Sequence, residues 1–127
     1  MTPQEKSDFR ALIMPHEPCK EALTRFDAAE GDEVYHIIMN YAGWLFGNGI
    51  EIPKLPDHIT QLKYNADLRG YAHALPQLAS IGGNADLRGY AHALPQLASI
   101  GGSADLPGYA HAEELKSNCK ISGVIYE

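Results

Sequence analysis

The strongest feature of the apolar and polar pattern is that it returns. Residues 65–83 read NADLRGYAHALPQLASIGG, residues 84–102 repeat that string letter for letter, and residues 103–112 begin it again as SADLPGYAHA. Within a unit, Ala85-Asp86-Leu87 alternates apolar, polar, apolar, which predicts a short strand with Ala85 and Leu87 on one face and Asp86 on the other. Leu75, Leu78 and Ile81 recur every third residue, a spacing that suits a 3₁₀ or loosely extended return segment rather than a full α-helix. Gly70 and the pair Gly82-Gly83 provide corners. A unit of 19 residues is too short for a helix pair, since ankyrin and tetratricopeptide units need about 33–34. The pattern therefore predicts one coil per unit, with strands stacked in parallel and Leu75, Leu78, Ile81, Ala85 and Leu87 filling the interior.

The ends of the array are degenerate. Upstream, LPDHITQLKYN (55–65) aligns with LPQLASIGGN (75–84) with one residue extra. Downstream, Asn118-Cys119-Lys120-Ile121-Ser122-Gly123 aligns with Asn84-Ala85-Asp86-Leu87-Arg88-Gly89, which implies a last full unit of 15 residues. The expected repeat region is 50–127, divided into 65–83, 84–102, 103–117 and a degenerate coil at 118–127.

Residues 1–49 have a different period. Thr2-Pro3-Gln4-Glu5 reads as an N-cap, a proline at the first helical position and a capping-box glutamate. The helix that follows presents Phe9, Leu12 and Ile13, and Pro15 and Pro18 end it. A second helix from about Pro18 presents Ala22, Leu23 and Phe26 and stops at Gly31. Asp32 caps a third, with Val34, Ile37, Ile38, Tyr41 and Leu45 on one stripe and Gly47-Asn48-Gly49 at its end. An open stack exposes the interior and strand edge of its first coil, so this segment is expected to be a cap over it. Ile50-Glu51-Ile52-Pro53 alternates and is expected to be the first strand. Trp44 and Phe46 are expected to pack on the first coil, with an exposed binding anchor as the alternative. The predicted fold is α+β: an N-terminal α-helical cap followed by a short parallel β-solenoid.

The repeat pattern L-P-x-L-x-S-I-G-G-x-A-D-L-x-G resembles the short leucine-rich-like repeats of bacterial and prophage proteins, over about 60% of the chain. The resemblance implies a coil-per-repeat solenoid and a mobile-element setting, in which anti-CRISPR and anti-restriction inhibitors are the concrete examples. Ala-Asp-Leu-Arg-Gly also looks like one unit of a pentapeptide-repeat protein, but in that family the units follow one another without a gap.

Charge narrows the functional classes. Acids number 16 and bases 10, a formal net charge of -6, which argues against a dedicated nucleic-acid binder and suits a partner with a basic face. No secretory signal opens the chain, and the longest apolar stretch, 37–46, is far short of the ~20 residues of a membrane span. Cys19 and Cys119 follow no metal-type spacing; free thiols in a reducing cytoplasm are expected, one long-range disulfide being the alternative.

Stacking produces three rows of candidate contact residues: Asp67, Asp86 and Asp105, alternating with Arg69 and Arg88; Tyr71, Tyr90 and Tyr109; and His73, His92 and His111. The histidine row suggests Zn²⁺ or Cu²⁺, but its spacing is that of the stack and not of a tetrahedral site, so no metal is expected. Equivalent carboxylates do not make an acid–base pair. The tyrosines are either stacked between coils or an aromatic recognition strip. Phosphate-loop, zinc-protease, nucleophile-elbow and dinucleotide motifs are absent, and Thr2, Thr24 and Thr60 are the only threonines, too few for an ice-binding array. The expectation is a cytoplasmic, non-enzymatic protein without a cofactor, which uses those nine residues to occlude a nucleic-acid-binding or assembly surface on a host protein or ribonucleoprotein. It would not touch nucleic acid or membrane directly. A self-associating structural module is the alternative, and a hydrolase using the His and Asp rows is a third possibility.

Overall fold

The computed structural model describes all 127 residues. Four helices come first: α1 (Pro3–Ile13), α2 (Lys20–Ala28), α3 (Glu33–Asn40) and α4 (Ala42–Gly47). Eight two-residue strands follow, interrupted once by α5 (Ala112–Asn118). They are β1 (Gln61–Leu62), β2 (Ala66–Asp67), β3 (Ser80–Ile81), β4 (Ala85–Asp86), β5 (Ser99–Ile100), β6 (Ala104–Asp105), β7 (Lys120–Ile121) and β8 (Ile125–Tyr126).

The capping box at the start of α1 forms as its sequence predicts. The Thr2 hydroxyl accepts from the Glu5 N–H at 3.1 Å, and the Glu5 carboxylate accepts from the Thr2 N–H at 3.0 Å. Two orphan donors of the first turn are thereby satisfied. Phe9 and Ile13 are buried while Leu12 is exposed, so the inward stripe is narrower than three residues. At the start of α2 the Cys19 sulfur accepts from the Ala22 N–H. Phe26 of α2 meets Phe9 at a centroid distance of 5.9 Å. Arg10 grips the Asp27 carboxylate with two N–H groups, at 2.9 and 3.2 Å.

The single third helix expected from Asp32 onward is two. The chain leaves helical geometry at Tyr41 (φ −107°, ψ 18°), and α4 starts afresh at Ala42. The break turns α4 against β2: a Cβ on Gly43 would collide with the Asp67 carboxylate. Asp32 makes no capping hydrogen bond; its carboxylate meets His58 Nε2 at 2.9 Å. Glu33 instead receives Lys63 Nζ at 2.6 Å and the Tyr64 hydroxyl at 2.7 Å. His36 Nδ1 accepts the Lys63 N–H at 3.2 Å. Helix α3 therefore clips the cap to the first coil and satisfies polar groups that the edge would leave bare.

Each coil contributes two strands rather than the one expected. Two four-stranded parallel sheets run the length of the stack, ordered β1-β3-β5-β7 and β2-β4-β6-β8. Ala-Asp forms one sheet and the Ser-Ile end of the return segment forms the other. The segment begins as a tight turn, with the Leu78 N–H on the Leu75 carbonyl at 3.2 Å and the Leu97 N–H on that of Leu94, and then extends. The 3₁₀-like spacing describes its start, and its end becomes strand once a neighbouring coil supplies hydrogen-bond partners.

Leu75, Leu78, Ile81, Ala85 and Leu87 are all buried, as expected. At Gly101 the reason for glycine is close approach: a Cβ there would overlap the Gly82 carbonyl oxygen of the preceding coil. An amide ladder parallels the strands. The Asn65 carboxamide oxygen accepts the Asn84 N–H at 2.7 Å, and that of Asn84 accepts the Ser103 N–H at 2.8 Å.

Two expectations fail at the ends of the array. Ile50 and Ile52 are buried and Glu51 is exposed, so the alternation holds, but residues 50–53 form no strand. Pro53 has no N–H to donate, and the local backbone is held by a side chain: the Tyr71 hydroxyl accepts the Leu55 N–H and donates to the Pro53 carbonyl. In the last coil, Lys120 and Ile121 pair with Ser99 and Ile100, and Ile125 and Tyr126 with Ala104 and Asp105. The offset is thus 21 residues, and the alignment of 118–123 with 84–89 does not hold. Helix α5 replaces the extended return segment there. A helix advances about 1.5 Å per residue against about 3.3 Å for extended chain, so the same side of the coil takes more residues.

Candidate functional site: a polar trough on the outer face of one sheet

In the sheet β2-β4-β6-β8 the alanines point inward, and the residues flanking them point out. Asn65, Asn84 and Ser103 form one outward row and Asp67, Asp86 and Asp105 the next. These rows line a shallow trough of about 310 Å³, with Asn40 of α3 at one end and Tyr126 of β8 at the other. Sequence alternation placed the aspartates. The asparagine row stands two residues earlier on the same face and was legible by the same rule. Asn40 belongs to the cap and Tyr126 to the degenerate last coil, and only the fold brings them here.

Arginines two residues after the first two aspartates organise the row. Arg69 holds Asp67 with Nε at 3.0 Å from Oδ1 and Nη2 at 2.6 Å from Oδ2. Its Nε also lies 3.2 Å from Asp86 Oδ2, so it bridges two coils. Arg88 grips Asp86 in the same fork, at 3.0 and 2.7 Å. Forked pairs of this kind fix orientation as well as charge. Partial burial pushes the Asp86 carboxyl up, but hydrogen bonds from the Arg88 side chain and backbone, with the charges of Arg88 and Arg69, outweigh it and hold the group below its ordinary range. In the third coil Pro107 stands where the arginine would be, and no hydrogen bond or ion pair reaches the Asp105 carboxylate.

The other two rows lie elsewhere on the coil. Tyr71, Tyr90 and Tyr109, set among the contact candidates by their spacing, are interior, at 4%, 2% and 5% exposure. Tyr90 and Tyr109 stack with centroids 6.3 Å apart. The Tyr90 hydroxyl donates to the His73 carbonyl of the preceding coil at 2.6 Å, and that of Tyr109 to His92 at 3.0 Å. A tyrosine is apolar along its ring and polar at its tip, so an inward ring with an inter-coil hydrogen bond satisfies both parts. The stacked reading holds and the recognition strip does not form.

His73, His92 and His111 are half-buried, each edge-on to the tyrosine two residues before it. They sit beyond the glycine corner from the aspartates, so the Asp and His rows do not share a face. No three His, Cys, Asp or Glu side chains converge as metal ligands do. Cys19 is exposed in the cap, Cys119 is buried in the last coil, and both are free thiols. Trp44 packs within the cap, where with Phe9, Phe26 and Tyr41 it lines an apolar cavity of about 120 Å³. Phe46 lies over Gly70, where a Cβ would enter its ring, so of the two aromatics it is the one seated on the first coil.

No helix is long and apolar enough to cross a membrane. Fold and surface together define a capped, two-sheet parallel solenoid of leucine-rich-like periodicity, an architecture of extended binding faces. No family model matches the chain, and no curated protein or solved structure matches it.

Proposed function

We propose that the protein is a non-catalytic binding module that acts in the cytoplasm, and that its contact surface is the trough along β2-β4-β6-β8. The observation that carries this reading is the trough itself. It is a continuous outward row of carboxylates and amides, held rigid by inter-coil hydrogen bonds and bordered at its ends by Asn40 of the cap and Tyr126 of the last coil. A rigid polar face on a chain of net charge -6 suits a protein partner with a basic, nucleic-acid-binding surface. The narrowest form of the proposal is inhibition: a mobile-element protein of the anti-CRISPR type that occludes a nucleic-acid-binding or assembly surface of a bacterial defence complex. Catalysis is disfavoured by the Asp86 environment, where two guanidiniums hold the carboxyl ionised instead of tuning it for proton transfer.

The test compares capture from nuclease-treated bacterial lysate by the native chain and by an Asp67→Asn/Asp86→Asn/Asp105→Asn variant. Asparagine keeps the acceptor for the Arg69 and Arg88 backbone N–H groups, and circular dichroism checks that the variant folds. The expected result is a basic protein retained by the native chain at low salt and lost from the variant. Equal retention by both removes the trough from the reading.

A second reading, self-association, is favoured by Val124 and by Ile125 and Tyr126 of the outermost strand β8, which are all exposed. Sedimentation across a concentration series tests it. A monomer at every concentration rejects it.

A further inference from the structure

The Asp–Arg row contains its own template for a ligand. In two successive coils a guanidinium sits against the aspartate in the same forked geometry, supplied by the residue two positions on. The third coil keeps the aspartate, Asp105, but Pro107 replaces the arginine. Arg88 is forked on Asp86, and although Asp105 lies within reach of its charge, no side-chain N–H makes a hydrogen bond or ion pair with the Asp105 carboxylate. Asp105 lines the trough, and Tyr126, its strand neighbour in β8, borders the trough with 52% of its surface exposed. A carboxylate with both oxygens free, an adjoining aromatic ring and clear space are the elements that hold an arginine side chain.

We propose that the space beside Asp105 and Tyr126 is a guanidinium site, which takes an arginine side chain of the protein partner and so continues the row with a residue supplied in trans. This deepens the trough reading and rests on it. Asp105 provides the two-oxygen acceptor, Tyr126 the ring face, and the row of Arg69 and Arg88 sets the orientation. Lysine, a point charge without the planar fork, fits this arrangement less well.

The test is an amide-shift titration of the isotope-labelled full chain with acetyl-Gly-Arg-Gly-amide and with its lysine counterpart. The arginine peptide is expected to shift residues around 103–108 and 124–127, and to bind about tenfold more tightly than the lysine peptide. Pro107→Arg restores the sequence of the two preceding units and fills the site from within, so it should abolish the response, while Pro107→Ala should retain it. Equal binding of the two peptides, or unchanged binding by Pro107→Arg, overturns the proposal. The two readings fail separately. Partner capture lost in the triple asparagine variant but unchanged in Pro107→Arg leaves the trough standing and refutes the arginine site. Arginine-selective binding abolished by Pro107→Arg, with no partner dependent on the trough, does the reverse.

Discussion

Tyr90→Phe probes the inter-coil tyrosines without disturbing their packing. The ring is 2% exposed and phenylalanine fills the same space, so the apolar contribution is unchanged. The loss is the hydroxyl and its 2.6 Å bond to the His73 carbonyl. A net hydrogen bond contributes roughly 0.5–1.5 kcal/mol, and the His73 carbonyl left behind is only partly buried, so the variant should be about 0.5–1.5 kcal/mol less stable. The pH dependence provides a second readout. Burial pushes the Tyr71, Tyr90 and Tyr109 hydroxyls up, with neighbouring tyrosines adding at Tyr90 and the Glu114 charge at Tyr109. Tyr109 reaches about 12, while an unfolded chain titrates near 10. Above pH ~10 the unfolded chain therefore holds fewer protons than the folded one, and stability falls as pH rises, by about 1.4 kcal/mol per pH unit for each tyrosine. Below that pH the contribution is complete. Tyr90→Phe should remove the Tyr90 share of that slope, about 1.4 kcal/mol per pH unit. The assay is urea unfolding by circular dichroism across alkaline pH, alongside tyrosinate absorbance of the folded protein. An unchanged midpoint and slope in the variant would refute this account of the tyrosines.

Deleting residues 84–102 removes one coil and lets β3 pair with β7 and β2 with β6. A cooperatively folded protein with a lower midpoint and a smaller urea slope is expected, and an unfolded one would refute modular stacking. Gly101→Ala puts a methyl against a neighbouring backbone carbonyl and should cost roughly 1–3 kcal/mol in urea unfolding, whereas Gly47→Ala meets nothing within 4 Å and should be close to neutral. His36 is buried at the junction of cap and coil; burial, with the Lys63 charge adding, pushes its pKa down against the pull of Glu33 and Asp32. Its folded-state pKa is thus below the unfolded ~6.5, the unfolded chain binds more protons just under that pH, and stability should fall on acidification through that window. His36→Asn should flatten that fall in a pH series of melts.

The sequence made the stack legible because its strongest regularity is geometric. A repeat length with room for one coil, leucines at fixed offsets and glycine pairs at corners leave few alternatives. The capping box at Thr2 was legible because it is local. What escaped depends on partners outside the segment. Ser80–Ile81 is too short to read as strand until the next coil supplies its hydrogen bonds. The break at Tyr41 follows from seating α4 on β2. The register of the last coil differs from the expected alignment because the helix at Ala112–Asn118, which the repeat pattern does not announce, takes up extra residues. The same division holds at the trough. Its aspartates and their arginines lie two residues apart and were visible, whereas its ends at Asn40 and Tyr126 come from distant parts of the chain. The tyrosines turned inward because their hydroxyl partners sit one coil back, a relation that no single unit contains.

A chain with two indistinguishable stretches can mistake one for the other. Nothing within 65–83 or 84–102 tells a growing nucleus which of the two it has recruited, so a wrongly threaded intermediate would bury the same leucines as the right one. The error becomes visible only at the extremities, where the lid at the amino end and the short helix in the final winding each accept a single neighbour. These two irregular pieces act as bookends that fix the count, and proofreading of the interior is left to them.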